Sequence, residues 1–562
     1  MDNIAIAENF SLLSQLMDIN GENPFKSRTY SAAAFNIERL TLQLKDIPTD
    51  KLFTVKGIGD SVGRKVKEML ETGRLAVLEE LIAQTPAGVI EMLNIKGIGP
   101  KKIHTIWKEM GIESIGELLY ACNENRLTLY KGFGEKTQKN VQESIEFYLQ
   151  SQGHFLFAQL EEIVPQIDNY LKKLFTSKKT AITGRYRRQE LTLDELEYVI
   201  LEPKEVVKPK FLTAQPPELV EENDKSLLYK LKNGLKLRLY TGGTNLAHEL
   251  FMTTGSPEFT DAFLKESSVT GNENESSGDD RSVFEQAGIP YILPCLREKG
   301  SVIERARENK LPELIKTGDI KAIIHSHSNW SDGTNTLEEM AGECIKRGFE
   351  YLVISDHSQT AGYANGLKPD RITAQHKQID VLNQQLAPFR IFKSIESDIL
   401  NDGSLDYPKE ILQSFDLVIA SVHSNLNMTE EKAMARLMRA IENPFTSILG
   451  HMTGRLLLSR NGYPIDHKKI IDACAASQVV IEINAHPRRL DMDWRWIDYA
   501  ISKNVLLSIN PDAHFIEGYD DIKYGVLAAQ KGGLTRQNNL SSFSLPEFEY
   551  WLSQRKKSKG LN

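Results

Sequence analysis

The segment KAIIHSHSNWSDG, residues 321–333, decides the fold of the C-terminal part of the chain. It begins as an apolar run of strand type that ends in His325 and His327, and Asp332 follows in a polar loop. Six more apolar runs follow, separated by amphipathic helical stretches such as 336–347: YLVISDH, RIFKSIES, LVIASVH, SILGH, VVIEIN and VLLSINPDAH. Seven β–α units with short connections predict a parallel sheet that closes into a barrel.

Imidazole and carboxylate groups recur where these strands end. The residues concerned are His325, His327, Asp332, His357, Glu396, His423, His451, Asp512 and His514. The C-terminal ends of the strands of a β–α barrel converge on one face, so these groups would meet in a small volume. Without cations such a cluster would be costly, because like carboxylates repel and buried polar groups need partners. We therefore predict a polynuclear metal centre.

The ligand types indicate the metals and the chemistry. Histidine, aspartate and glutamate without cysteine suit manganese, zinc or iron, with magnesium also compatible, and the set would hold about three divalent ions. Adjacent ions can generate a hydroxide nucleophile and clamp phosphoryl oxygens. Most of the 12 histidines of the chain follow residue 320, whereas unrelated surface histidines would be spread along it. The pattern predicts a metal-dependent phosphoesterase.

Composition favours a multidomain protein of the cytoplasm. A chain of 562 residues is too long for one hydrophobic core. No apolar run reaches the roughly 18 residues that span a bilayer, and the first residues, MDNIAIAENF, lack a signal-peptide layout. The four cysteines form no CxxC pair, so we expect neither disulfides nor a thiolate zinc site. The net charge of −8 gives no overall nucleic-acid signature, although a local site can bind through backbone amides.

Three glycine-centred repeats occupy residues 1–150. They are GIGDSVGRKVKEML from Gly57, GIGPKKIHTIWKEM from Gly97 and GFGEKTQKNVQESI from Gly132. They resemble helix-hairpin-helix motifs, in which a tight glycine turn brings backbone N–H groups and a helix N-terminus against a phosphate. The residues expected to contact DNA are Gly57, Gly59, Gly97, Gly99, Lys101, Gly132, Gly134 and Lys136. Phosphate contacts carry no sequence information, so the predicted partner is DNA of any sequence.

The C-terminal motifs resemble the PHP domain of bacterial family X DNA polymerases. The motifs are HSHSNWSDG (325–333), SDHS (355–358), IESDIL (395–400), SVHS (421–424), GHMTGRLL (450–457), EINAHPRRLD (482–491) and PDAH (511–514). The resemblance implies a distorted (β/α)7 barrel with a trinuclear centre and exonuclease or related phosphodiesterase activity on DNA 3′ ends. Arg455 and Arg488 follow segments of the barrel mouth and would hold substrate phosphates, with surface salt bridges as the alternative.

The N-terminal region resembles the lyase domain of the same polymerases. The segment FKSRTYSAAA (25–34) precedes the first hairpin, which is the order found in that family. The resemblance places Lys65 where the family has its Schiff-base lysine, with Lys26 and Tyr30 as neighbours. A plain phosphate contact is the other interpretation of Lys65.

The middle of the chain lies where an α+β polymerase core would be, and it keeps only remnants of one. GRYRR (184–188), TTGS (253–256) and AGIPYILPCLRE (287–298) resemble family segments, and the polar stretch 265–281 replaces a basic thumb. The family's metal-binding aspartates correspond to Glu195 and Glu197, its third aspartate to Lys236 or, in another register, Arg238, and its triphosphate-binding serine to Arg185. A glutamate in place of an aspartate displaces the carboxylate by about an ångström, which can cost on the order of 100-fold in rate. A cation at the third position would repel the metal ions. We expect this core to be catalytically inactive and to hold DNA.

The predicted layout is a helix-hairpin-helix and lyase-like domain (1–150), a degenerate polymerase core (151–300), a linker (301–320) and a PHP phosphoesterase domain (321–562). The favoured function is a DNA-repair type of protein with metal-dependent 3′–5′ exonuclease activity, or processing of 3′ ends and abasic sites. One alternative is an active template-directed polymerase that tolerates the two glutamates and has a PHP proofreading nuclease. Another is a DNA-binding scaffold with a purely structural PHP domain. The sequence leaves the metal identities, the preferred DNA end and the oligomeric state open.

Overall fold

The computed structural model describes residues 1–48, 51–55, 57–123, 127–151, 153–176, 179–211, 217–232, 234–267, 279–458 and 461–561. They divide into two compact units, Met1–Gln152 and Gly153–Asn562. Among these residues, none of the helices combines the length and the apolar character needed to cross a bilayer. Most of the polar stretch predicted at 265–281 lies outside the described residues.

The first unit is helical. Its α-helices are α1 (Asn3–Asn20), α2 (Pro24–Glu38), α3 (Asp60–Thr72), α4 (Ala76–Gln84), α5 (Ala87–Glu91), α6 (Pro100–His104), α7 (Ile115–Asn123) and α8 (Glu135–Ser151). Asp2 caps α1 by accepting a hydrogen bond from the backbone N–H of Ala5, and Gly21 ends it with a φ of 75°. The apolar faces of these helices share one core, to which α1 contributes Phe10 and Leu13.

The three glycine repeats adopt the same turn. Gly57, Gly97 and Gly132 have φ values of 89°, 91° and 92°, a region that suits glycine, and the helices α3, α6 and α8 begin shortly after them. The apolar residues between the paired glycines, Ile58 and Phe133 among them, are buried, whereas the glycines are exposed. The core side chain therefore fixes the turn while the backbone of the turn faces outward.

The second unit begins with a mixed sheet and its helices. The strands β1 (Phe155–Leu156) and β3 (Thr192–Leu193) form a small antiparallel pair, and five others form a sheet in the order β2-β4-β7-β6-β5. These five are β2 (Thr180–Thr183), β4 (Glu195–Ile200), β5 (Glu218–Glu222), β6 (Ser226–Lys230) and β7 (Lys236–Thr241). The helices are α9 (Phe157–Phe175), α10 (Gly184–Arg187), α11 (Lys204–Lys210), α12 (Leu246–Thr254), α13 (Pro257–Glu266), α14 (Arg281–Gln286) and α15 (Ser301–Arg307). In this sheet, β4 and β7 pair in parallel and the other described neighbours pair antiparallel, so side chains at matching positions of β4 and β7 share one face.

Residues 301–320, predicted as a linker, pack on both neighbours. Val302 and Ile303 of α15 join the aromatic core around Phe259 and Phe284, and Ile315 joins the core of the barrel. The segment therefore connects the two cores through buried contacts.

A seven-stranded parallel sheet forms the rest of the second unit. Its strands lie in chain order: β8 (Ala322–Ser326), β9 (Tyr351–Ile354), β10 (Arg390–Asp398), β11 (Leu417–Ser421), β12 (Thr446–Leu449), β13 (Val480–Asn484) and β14 (Leu507–Asn510). A bridge between Ser326 and Ala513 brings the last strand back to the first, so the sheet is nearly closed. The helices are α16 (Leu337–Arg347), α17 (Pro369–Gln385), α18 (Lys409–Leu412), α19 (Glu430–Glu442), α20 (His467–Ala476), α21 (Ile497–Ser502), α22 (Ile522–Lys531) and α23 (Leu545–Ser558). The predicted fold class, with helical hairpins, an α+β core and a (β/α)7 barrel, is confirmed.

Candidate metal centre

The strand ends of the barrel bring the nine predicted ligands together. Donor atoms within 4.8 Å of one another form three overlapping groups: His327, Asp332, His357 and His514; His325, His327, Glu396 and Asp512; and His357, Glu396 and His423. The ninth residue, His451, joins them because its Nε2 lies 3.0 Å from Glu396 Oε1. The side chains come from different strands, as the barrel geometry requires.

Glu396 is the centre of this cluster. Its carboxylate is 1% exposed, and nitrogens of five histidines surround it at 3.0 to 3.6 Å: His325, His327, His357, His423 and His451. Burial opposes its ionisation, but the surrounding imidazoles outweigh that effect and lower the pKa of Glu396 well below its ordinary value. An ionised carboxylate is thus held where several imidazoles converge.

The donor set fits divalent metal ions. Two buried ring nitrogens, His327 Nδ1 and His451 Nδ1, make no hydrogen bond within the part of the chain that the structure describes. Such atoms are costly to bury unless a partner satisfies them. Neutral imidazoles and carboxylates are the ligands of zinc, manganese and iron, and the nine residues would hold these ions. When bound, such ions would supply Lewis-acid chemistry and activate water.

A second set of carboxylates orients the ligands, and sequence reasoning did not single it out. Glu482 Oε2 accepts a hydrogen bond from His325 Nδ1 at 2.6 Å, and Asp398 accepts one from His423 Nδ1. Metal-binding histidines commonly donate their other ring N–H to a carboxylate in this way. Asp398 lies two residues after Glu396 on β10, and Glu482 interrupts the apolar strand VVIEIN. That spacing and that interruption were the signals that could have indicated both residues.

The arginines at the barrel mouth differ in their contacts. Arg455 donates to Asp493 and to the backbone carbonyls of Arg489 and Leu490, so its guanidinium has internal partners. Arg488 is exposed, whereas Arg489 reaches the cluster, with its Nε 3.7 Å from Asp512 Oδ2. The roles of Arg455 and Arg488 toward substrate stay predictions, and Arg489 is a further arginine at this site.

Comparison with known proteins now gives the family. The chain is 34% identical over 560 residues to "DNA polymerase/3′-5′ exonuclease PolX" of Bacillus subtilis (strain 168), which covers 96% of this chain and 97% of the relative. The chain belongs to the PolX family of family X DNA polymerases. The family models "Helix-hairpin-helix domain", "SAM-like Helix-hairpin-helix tandem" and "PHP domain" match residues 1–75, 89–146 and 324–486. The predicted resemblance is therefore confirmed.

Parts of the chain also match shorter proteins. A "Probable phosphatase" of Caldanaerobacter subterraneus subsp. tengcongensis is 28% identical over 169 residues, which is 28% of this chain and 60% of the relative. Another, of Thermoanaerobacter sp. (strain X514), is 30% identical over 176 residues, 29% of this chain and 65% of the relative. Part of this PolX chain thus resembles proteins that are described as probable phosphatases.

The polymerase-like site of this PolX chain is filled by ion pairs. Arg238 Nε lies 2.6 Å from Glu195 Oε1, and Tyr240 donates a hydrogen bond to Glu197 at 3.1 Å. Lys236 instead contacts Asp194, its Nζ 3.4 Å from Oδ2. Of the two positions predicted for the third ligand, Arg238 is therefore the one whose cation lies against the paired carboxylates.

The remnant GRYRR is also bound internally. Arg185 pairs with Asp194 through its side chain, and its backbone N–H donates to Glu197 Oε2 at 2.7 Å. Arg188 donates to Glu298 and to the carbonyl of Thr254. The arginines of this motif therefore already have partners within the protein.

The predicted lyase residues lie on α2 and α3 of the first unit. Lys65 Nζ is 5.7 Å from the centroid of the Tyr30 ring, and Tyr30 is buried, with a hydroxyl 3.5 Å from Ser61 Oγ. Lys26 is exposed on α2, and Lys101 and Lys136 are exposed at the starts of α6 and α8. Lys65 and Tyr30 are thus neighbours, as the resemblance implied.

Proposed function

We propose that this PolX protein is a metal-dependent phosphodiesterase that processes DNA 3′ ends, as a 3′–5′ exonuclease or at abasic sites, with its active centre in the barrel. One observation carries the proposal: nine imidazoles and carboxylates converge at the barrel mouth, and two of their buried ring nitrogens make no hydrogen bond to a described residue. A purely structural barrel would not need to bury polar atoms at such a cost.

The nine ligands would hold about three divalent ions of manganese, zinc or iron, with open positions for water and a phosphoryl group. Glu482 and Asp398 keep His325 and His423 oriented through their second ring nitrogens. Arg489, beside Asp512, and the exposed Arg488 are placed to contact substrate phosphates. Arg455 would act less directly, by fixing the loop that carries Arg489.

We propose further that the polymerase-like core does not incorporate nucleotides. Two magnesium ions need carboxylates that are free to bind them, whereas the Glu195 carboxylate is paired with Arg238. Burial raises the pKa of the Glu197 carboxyl, which favours its neutral form. Arg185, which corresponds to the family's triphosphate-binding serine, is held by Asp194, and Arg188 of the same motif is held by Glu298.

The helical unit is proposed to bind DNA without regard to sequence. Its exposed glycine turns offer backbone N–H groups to phosphates, with Lys101 and Lys136 beside them. The Lys65 amine next to Tyr30 would serve as a phosphate contact or, at an abasic site, as a Schiff-base nucleophile. The domain limits predicted from the sequence are part of the same proposal. So is a location in the cytoplasm, with which the four free, buried cysteines are compatible.

A second candidate is an active template-directed polymerase with a proofreading nuclease. The observation that favours it is the 34% identical relative, which is described as both a DNA polymerase and a 3′–5′ exonuclease. Under this candidate Glu195 and Glu197 would still hold metal after Arg238 moved away.

One assay separates the candidates: a labelled primer–template is incubated with manganese, with and without nucleotides. We expect the primer to shorten in both cases. Asp512→Asn should abolish shortening, and Glu197→Ala should change it by no more than a few-fold. Robust lengthening that Glu197→Ala removes would establish the polymerase instead, and an unchanged primer at every metal concentration would leave only a DNA-binding scaffold.

A further inference from the structure

A cavity lies at the end of the barrel opposite to the metal centre. It is a cleft of about 500 Å³ between α23 and the N-terminal ends of β13 and β14. Its walls include Trp551 and Arg555 from α23, Gln478 and Val479 before β13, and Asn504 and Leu506 before β14. Clefts of about 300 to 1,000 Å³ are of the size that holds organic ligands rather than single ions.

Arg555 is a buried cation at this cleft. Its side chain is part of a residue that is only 7% exposed, and its Nη2 donates to the carbonyls of Pro444 and Thr446. Its Nε is buried and makes no hydrogen bond, and no carboxylate in the described part of the chain forms an ion pair with it. Burial lowers the pKa of Arg555 to about 10, so the guanidinium keeps its charge at neutral pH.

Other buried arginines of this protein have more complete sets of partners. Arg297 pairs with Asp280, Arg188 pairs with Glu298, and Arg436 donates through Nε, Nη1 and Nη2 to backbone carbonyls. Arg436, like Arg555, has no carboxylate partner, but all three of its nitrogens donate to carbonyls, whereas Arg555 donates only through Nη2 among the described residues. Lys559, the residue after the end of α23, adds a second positive charge, and burial together with Arg555 lowers the pKa of its ammonium. A buried charge without a counter-ion is unfavourable, and an anion in the cleft would supply one.

We propose that this cleft binds an organic anion, whose phosphate or carboxylate pairs with Arg555 and whose flat ring lies against Trp551. The half-buried indole and the apolar side chains of Val479 and Leu506 suit an aromatic ring. The amides of Gln478 and Asn504 can form hydrogen bonds with polar atoms at the ring edge. A nucleoside monophosphate and an aromatic carboxylate share this chemistry.

The test is calorimetric titration of the full-length, metal-loaded protein with deoxyadenosine monophosphate, indole-3-acetate and inorganic phosphate. The metal centre also binds phosphates, so the informative quantity is the difference between the wild type and Arg555→Gln. We expect the wild type to bind one more equivalent of a ring-bearing anion than Arg555→Gln does. Lys557→Gln, which removes an exposed charge from the same helix, should behave as the wild type.

Further variants identify the ligand, and further measurements control for misfolding. The ring-bearing anion whose binding Arg555→Gln abolishes shows whether the ligand of the cleft is a nucleotide or an aromatic carboxylate. Trp551→Leu should weaken its binding roughly tenfold, the effect of losing one favourable aromatic contact, and leave inorganic phosphate binding unchanged. Circular dichroism and metal content report folding. If Arg555→Gln does not fold, the variants Trp551→Leu and Asn504→Leu test ligand binding in the cleft instead, because both retain Arg555. Equal stoichiometry and affinity for both ring anions in the wild type and the folded variants would overturn the proposal.

Discussion

At the scale of the residue, His325 shows how one ligand is held in the metal centre. It lies at an irregularity at the end of β8 and has a φ of 64°, in the left-handed region that residues other than glycine rarely adopt. Asp512, another predicted ligand, has a φ of 53°. Such conformations persist only where their surroundings hold them. For His325 the holding group is Glu482, which also accepts a hydrogen bond from Asn510.

We therefore expect Glu482→Gln to reduce metal affinity and phosphodiester hydrolysis by about 10- to 100-fold, because the amide is a weaker, uncharged partner for the imidazole. Elemental analysis after dialysis and hydrolysis of bis-p-nitrophenyl phosphate measure the two effects. Glu410→Gln on α18, which is exposed, is the matched control and should change neither. Undiminished metal content in Glu482→Gln would mean that the ring is oriented without this carboxylate.

At the scale of the element, the strand ends were predictable, whereas the local backbone and the pairing of charges were not. The seven apolar runs were sufficient to predict the seven strands. Barrel geometry then predicts that ligands at the C-terminal ends of these strands converge. The irregularity at His325 depends on the pairing of β8 with β9, which no local pattern encodes. In the same way, the register of β4 and β7 pairs Glu195 with Lys236 and Glu197 with Arg238, yet it is the Arg238 side chain that reaches the Glu195 carboxylate.

The helical hairpins permit a prediction at this scale. Lys101 and Lys136 stand at the starts of α6 and α8, beside exposed glycine turns, so each should neutralise one DNA phosphate. The double variant Lys101→Ala/Lys136→Ala should weaken binding equally for unrelated DNA sequences and make the slope of log K against log salt shallower by about 2. Fluorescence anisotropy over a salt series measures this. Lys346→Ala on α16 is the control, and a loss confined to one sequence would contradict phosphate contacts.

At the scale of the whole molecule, a buried lysine ties the polymerase-like core to the barrel. Lys531 of α22 has a fully buried side chain, contacts Glu298 and Glu190, and donates to the carbonyl of Arg188 at 3.0 Å. Lys531→Met should lower the free energy of unfolding of this unit by about 3 to 5 kcal/mol, because two carboxylates lose a buried partner. Urea denaturation measures the loss. Lys523→Met removes a half-exposed ion pair with Glu161 and should cost less than about 1 kcal/mol. Similar losses of unfolding free energy in the two variants would contradict a special contribution of the buried Lys531 contacts.

The buried contacts between the polymerase-like core and the barrel also determine where the protein can be divided. Residues Met1–Gln152 form one compact unit and Gly153–Asn562 another, whereas a cut near residue 300 would expose the buried contacts of Lys531 and α15. Every predicted metal ligand comes from the second unit. A fragment of residues 153–562 should therefore hydrolyse bis-p-nitrophenyl phosphate at close to the rate of the whole chain. On long DNA it should act more weakly, because the helical hairpins that hold the strand are missing. His357→Ala and His423→Ala should abolish both activities in either form. If removal of the first unit lowered hydrolysis of the small substrate as much as that of DNA, the hairpins would be contributing to the chemistry and not only to the binding of the strand.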